Sequence, residues 1–93
     1  MAIIYTDHLE IRLKIRKFPY DYPKIIYNNP DQCYYDEDQQ SFISIKKLLY
    51  NGKKRKICIA YTFDGLNVKI KTIHPEKEIT IKNRIAKGRW VKQ

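Results

Sequence analysis

Three side chains of the N-terminal segment, His8, Arg12 and Arg16, recur at intervals of four residues. On a helix that spacing stacks them along one line. Histidine titrates near neutral pH, and arginine grips phosphate through a planar fork of N–H donors. The one other histidine is His74, and Arg84 and Arg89 follow downstream. Together these groups could hold an RNA phosphodiester and move protons on it. That chemistry needs a base for the 2′-OH proton, an acid for the leaving oxygen and cations for the phosphorane. His8, Arg12 and His74 are therefore the candidate catalytic residues. Arg16, Lys54, Arg55, Arg84 and Arg89 are candidate phosphate contacts, and Tyr61 (or Tyr50) is a candidate ring for a splayed base.

The helix that must carry the first three residues is expected from Thr6-Asp7, where Asp7 and Glu10 have capping-box spacing, to about Lys17, before Pro19. On its wheel Glu10, Lys14 and Lys17 face water. Leu9 and Leu13 form one apolar flank; Ile11, Ile15 and Phe18 form another. His8, Arg12 and Arg16 fall between the flanks rather than with the solvated charges. An arginine there needs a carboxylate, a carbonyl or the edge of a cleft. Two readings stand side by side: Arg12 and Arg16 pin loops or helix ends, or His8 and Arg12 line an anion-binding cleft between helix and sheet. The other candidates also have plain structural readings. His8 in a first helical turn bonds a local backbone group, His74 before Pro75 ends a strand, Trp90 packs the tail, and Lys53 to Lys56 form a solvated hairpin tip.

The chain has 93 residues, enough for one domain, expected over 1–93, and carries a formal charge of +9. Such an excess repels itself, which favours a polyanionic partner. No segment approaches the length of a membrane span, and the N-terminus lacks the basic start of a signal peptide. A cytoplasmic protein without membrane association is expected. Three glycines supply no phosphate-cradling loop. No Ser–His–Asp set and no paired Cys/His ligands occur, so neither cofactor nor metal is expected. Cys33 and Cys58 read as structural thiols, joined only if their strands are neighbours and the host is an extreme thermophile.

Ala2 to Tyr5 is a short candidate strand. Asp21-Tyr22-Pro23 opens a second helix, and Asn28-Asn29-Pro30 closes it with Asn in the left-handed cap. Strands follow at Cys33–Tyr35 and at Ser41–Tyr50, the latter with a bulge near Lys46-Lys47. Asn51-Gly52 then turns the chain into a strand over Lys54–Phe63. There Ile57, Ile59, Tyr61 and Phe63 oppose Lys56, Cys58, Ala60 and Thr62. Asp64-Gly65 turns it again into Leu66–His74, completing an antiparallel meander. Glu76 to Lys87 reads as a third helix ending at Gly88, although the alternation of Ile79 and Ile81 also permits a strand. Arg89 to Lys92 reads as an extended tail.

In this order, Tyr5, His8, Arg12, Arg16, the short helix ending in Asn29-Pro30 and the meander ending in Thr72-Ile73-His74 resemble the DUF4258 family over about residues 5 to 75. That family is similar to the RelE/BrnT-type toxins of toxin–antitoxin modules. The resemblance implies an α+β fold with an N-terminal helical hairpin packed on a three- to four-stranded antiparallel meander and a C-terminal helix. It implies a metal-independent endoribonuclease acting on RNA, ribosome-associated messenger included, with an acidic antitoxin protein as partner. The family's His and first Arg carry over to His8 and Arg12, and its second basic position to Arg16. Two other readings remain open. One is a basic nucleic-acid-binding module without catalysis, and the other is an interaction domain for an acidic protein.

Overall fold

The alternating segments build the centre of the molecule. The computed structural model describes residues 1–93, with β1 at Ile3–Tyr5, α1 at Asp7–Arg16, α2 at Tyr22–Asn28, β2 at Gln32–Asp36, β3 at Ser41–Tyr50, β4 at Lys53–Asp64, β5 at Asn67–Pro75, α3 at Glu78–Ala86 and β6 at Trp90–Lys92. The strands form one six-stranded sheet in the order β1-β5-β4-β3-β2-β6. The pair β1–β5 is parallel and every other pair is antiparallel.

The expected helical hairpin on a three- to four-stranded meander is therefore incorrect. The sheet is mixed and twice as wide as its central three strands, and it carries helices on both faces. The miss has a physical cause. β1 and β6 are three residues each, too short for alternation to register, and both are recruited by strands that already exist.

One face holds Leu9, Leu13 and Phe18 of the α1 segment and Ile26 of α2 over Ile57, Ile59, Tyr61, Val68, Ile70 and Ile73. The opposite face holds Ile81 of α3 and Trp90 over Tyr34, Ile43, Ile45 and Cys58. Cys33 bonds Ser44 on the first face, while Cys58 is buried in the second, so the sheet itself keeps the thiols apart. Both are free. None of the helices is long and apolar enough to cross a membrane.

Local details follow from backbone chemistry. Thr6, not Asp7, caps α1: its hydroxyl accepts from Leu9 N–H at 3.2 Å. The left-handed cap falls at Lys17 (φ 56°), whereas Asn29 takes φ −144°. Asn51 and Gly52 both take positive φ, the type I′ geometry that suits a two-residue hairpin. The next turn is Gly65-Leu66, one residue later than expected, because Asp64 pairs with Asn67. The expected bulge at Lys46-Lys47 is absent from a continuous β3–β4 register and lies instead between β4 and β5.

α3 keeps its place chiefly through Ile81, 1% exposed, whereas its neighbour Ile79 is 62% exposed. Ile81→Ala should cost about 2–4 kcal/mol in urea unfolding, and Ile79→Ala about 0.5 kcal/mol or less.

Candidate functional site

β1 stops at Tyr5, having paired only with Val68, Lys69 and Ile70. The remaining outer edge of β5 has no strand beside it. Thr6 bonds the Ile70 carbonyl, and α1 then runs along that edge. Leu9 and Leu13 turn to the first face of the sheet. The line His8, Arg12, Arg16 turns to the second, where α3 covers only part of the sheet. Between them lies a cleft of about 460 Å³, within the roughly 300–1,000 Å³ typical of ligand sites. Its floor is Ser41, Ile43, Ala60 and Thr72, and its far wall is Arg84, Arg89 and Trp90.

Six of the residues singled out from sequence meet here: His8, Arg12, Arg16, His74, Arg84 and Arg89. Three do not. Lys54 and Arg55 stand exposed on the first half of β4, outside the cleft. Tyr61 is 8% exposed on the opposite face. It packs edge-on against Tyr27 at 5.1 Å, and its hydroxyl accepts from Ser44 at 3.2 Å. It cannot stack a base. Tyr50 is equally committed, stacked on Phe18 at 4.4 Å with its hydroxyl donating to the Arg16 carbonyl at 2.8 Å. The second apolar flank expected on α1 is also absent, since Ile11 and Ile15 are 54% and 67% exposed. A helix lying along an edge strand buries only the side turned to the sheet.

Two carboxylates organise the cations. Asp36 ends β2, and its side chain is 3% exposed. It accepts from Trp90 Nε1 at 3.0 Å, from Arg89 Nε at 3.1 Å and Nη2 at 3.2 Å, and from the N–H groups of Asp38 and Gln39 at 3.0 Å each. Burial alone would raise its pKa. The bonds from Arg89, Gln39 and Trp90 outweigh burial and hold it below the usual carboxylate range. Glu76, expected inside the third helix, lies before it; its N–H donates to the Lys56 carbonyl at 2.9 Å. Its Oε2 accepts from His74 Nε2 at 2.8 Å and from Arg84 Nη1 at 3.1 Å. Arg84 also lies over the Trp90 ring, 5.1 Å from the centroid. The two C-terminal arginines are thus already paired.

The α1 cations are not. Arg12 Nε donates to His8 Nε2 at 3.2 Å, and neither Arg12 nor Arg16 pairs with a carboxylate. Arg16 Nε is buried with no hydrogen-bond partner. A fifth cation, Lys71, lines the cleft and donates to Ser41 Oγ. Sequence reasoning missed Lys71, and also missed Asp36 and Glu76, whose roles depend on pairings distant in the chain. The cleft gathers Arg12, Arg16, Lys71, Arg84 and Arg89 against Asp36 and Glu76, an excess of positive charge. No cluster of side chains suited to a metal ion occurs.

Burial lowers the His74 pKa below the ordinary 6.5; Glu76 offsets this in part, while Arg16 and Arg84 add to it. The folded protein therefore keeps His74 neutral at neutral pH. Its Nε2 proton is directed at Glu76, and no protein group donates to Nδ1. Above the unfolded pKa both states are neutral and nothing is lost. As pH falls through 6.5 the unfolded chain takes the proton first, so stability drops until the folded pKa is reached. Urea unfolding should give a lower free energy at pH 5.5 than at pH 7.5, and His74→Gln should shrink that difference. Compared with protein-family models, curated proteins and solved structures, the chain matches none, so its own cleft is the ground for a functional reading.

Proposed function

We propose that the cleft binds the phosphate backbone of RNA and cleaves it without metal. The observation that carries the reading is Arg16 Nε, a buried donor without an acceptor in a cleft that also holds the unpaired Arg12 and the two histidines. A buried guanidinium N–H without an acceptor is costly, and a phosphate oxygen supplies one.

In this reading His74, neutral and oriented by Glu76, takes the 2′-OH proton on Nδ1. The 2′-oxygen attacks phosphorus while Arg12 and Arg16 stabilise the charge on the phosphorane. The bond to the 5′-oxygen breaks, and that oxygen takes a proton from protonated His8 at the mouth. The products are a 2′,3′-cyclic phosphate and a 5′-hydroxyl. An acidic protein covering the cleft would compete for the same cations and act as an inhibitor.

A second reading, RNA binding without cleavage, draws on a different contact. Arg12 occupies the Nε2 atom of His8, which has to turn away before His8 can carry a proton there.

The test is purified protein with end-labelled single-stranded RNA in excess EDTA. The expected result is cleavage with cyclic-phosphate ends, slowed about 100-fold or more by His74→Gln. Intact RNA that is bound in a salt-sensitive manner would select the second reading. Intact RNA with no affinity would sink both.

A further inference from the structure

In an unbroken strand neighbouring side chains alternate, so only one of Lys71 and Thr72 would face the cleft. β5 is not unbroken. Ala60 pairs with Thr72 and Tyr61 with Ile70, which leaves Lys71 with no partner on β4. The bulge sends Ile70 and Ile73, both fully buried, to the face under α1 and α2. It sends Lys71 and Thr72 together into the cleft. Bulges re-aim side chains in this way beside functional sites. Here the extra residue is a cation. Its ammonium donates to Ser41 Oγ, and the Ser41 hydroxyl donates to the Gln39 carbonyl at 3.1 Å. Lys71 has no carboxylate partner, and neither has Arg16, whose Nε is the orphaned donor. The two carboxylates of the region are already engaged, Asp36 by Arg89 and Trp90, Glu76 by His74 and Arg84.

We infer that Lys71, Arg16 and Arg12 form a subsite for one tetrahedral oxyanion, a phosphoryl group, with Ser41 as the positioning residue for Lys71. The subsite deepens the reading above, since it names the part of the cleft that holds the phosphate. It rests on that reading only for the source of the phosphate. A phosphodiester of RNA and a small phosphorylated molecule present the same oxygens. Arg84 and Arg89, tied to their carboxylates, shape the wall rather than receive the anion. The trio supplies a point charge at Lys71 and planar forks at Arg12 and Arg16, a mixture suited to a charged tetrahedron.

The experiment titrates inorganic phosphate, then pyrophosphate, into the protein in EDTA at constant ionic strength. The signals are the side-chain Nε–H resonance of Arg16 and the fluorescence of Trp90, the chain's one tryptophan. The expected result is a saturable shift of the Arg16 resonance. Lys71→Met should weaken binding about tenfold or more, Lys71→Arg by about threefold or less, and Lys14→Met on the outer face of α1 not at all. An Arg16 resonance that does not move overturns the subsite, as does a folded Lys71→Met variant that binds as tightly as the parent. The Arg16 signal is read on the unaltered protein, so a variant that fails to fold leaves the test standing. Phosphate bound in a protein with no RNA affinity would sink the RNA reading and keep the subsite, pointing to a small phosphorylated ligand. RNA bound equally well by Lys71→Met and undisturbed by phosphate would sink the subsite and keep the RNA reading.

Discussion

The edge of β5 is the constraint on which the rest of the structure depends. A strand edge presents unpaired backbone groups and has to be paired or covered. β1 pairs three residues of it and stops, Thr6 bonds across to Ile70 and Lys71, and α1 takes over as the cover. A helix in that position cannot bury all of one face. It buries Leu9 and Leu13 and swings the adjacent line, His8, Arg12 and Arg16, over the rim of the sheet. Had β1 run the full length of β5, the same helix would lie elsewhere and its stripe would face solvent.

The opposite wall is assembled from the other end of the chain. β6 brings Trp90 onto Tyr34, with ring centroids 5.6 Å apart, and brings the Trp90 indole N–H onto Asp36. Asp36 then orients Arg89 and ties down the β2–β3 loop through two backbone N–H groups. Glu76 does the same for His74 and Arg84. Each carboxylate is largely shielded from water, with side-chain exposures of 3% and 10%, and each has several donors. Buried carboxylates are tolerable only on those terms. The network fixes the wall, so the unpaired charges left in the cleft are those of Arg12, Arg16 and Lys71.

What was legible in the sequence follows from the range of each signal. The i, i+4, i+8 line is local, and it identified three cleft residues. Alternation is local too, and it located β3, β4 and β5 to within a residue or two. The fold was misjudged where short segments join a sheet through distant partners: Ile3–Tyr5 onto β5, and Trp90–Lys92 onto β2. Lys71 was hidden for a related reason. A bulge is a mismatch of register between two strands, and neither strand alone carries its mark. Tyr61 was misjudged because alternation shows that a side chain shares a face with Ile57 and Ile59 but not that α2 covers that face. Lys54 and Arg55 were singled out by charge alone, which marks the surface of a basic protein everywhere.

If, as proposed, the unpaired cations of this cleft hold RNA phosphates, removing them must lower the salt dependence of RNA affinity. The most direct measurement is the salt dependence of RNA affinity for the parent protein and for an Arg12→Met, Arg16→Met double variant. Each single-strand phosphate contact contributes about 0.7 to the slope of log affinity against log salt. Arg12 and Arg16 share one phosphate in this account, which predicts that the double variant loses about 0.7 from that slope together with most of its affinity at low salt. An unchanged slope, with affinity lost instead on Lys54→Met or Arg55→Met, would contradict it and move RNA binding to the β3–β4 hairpin.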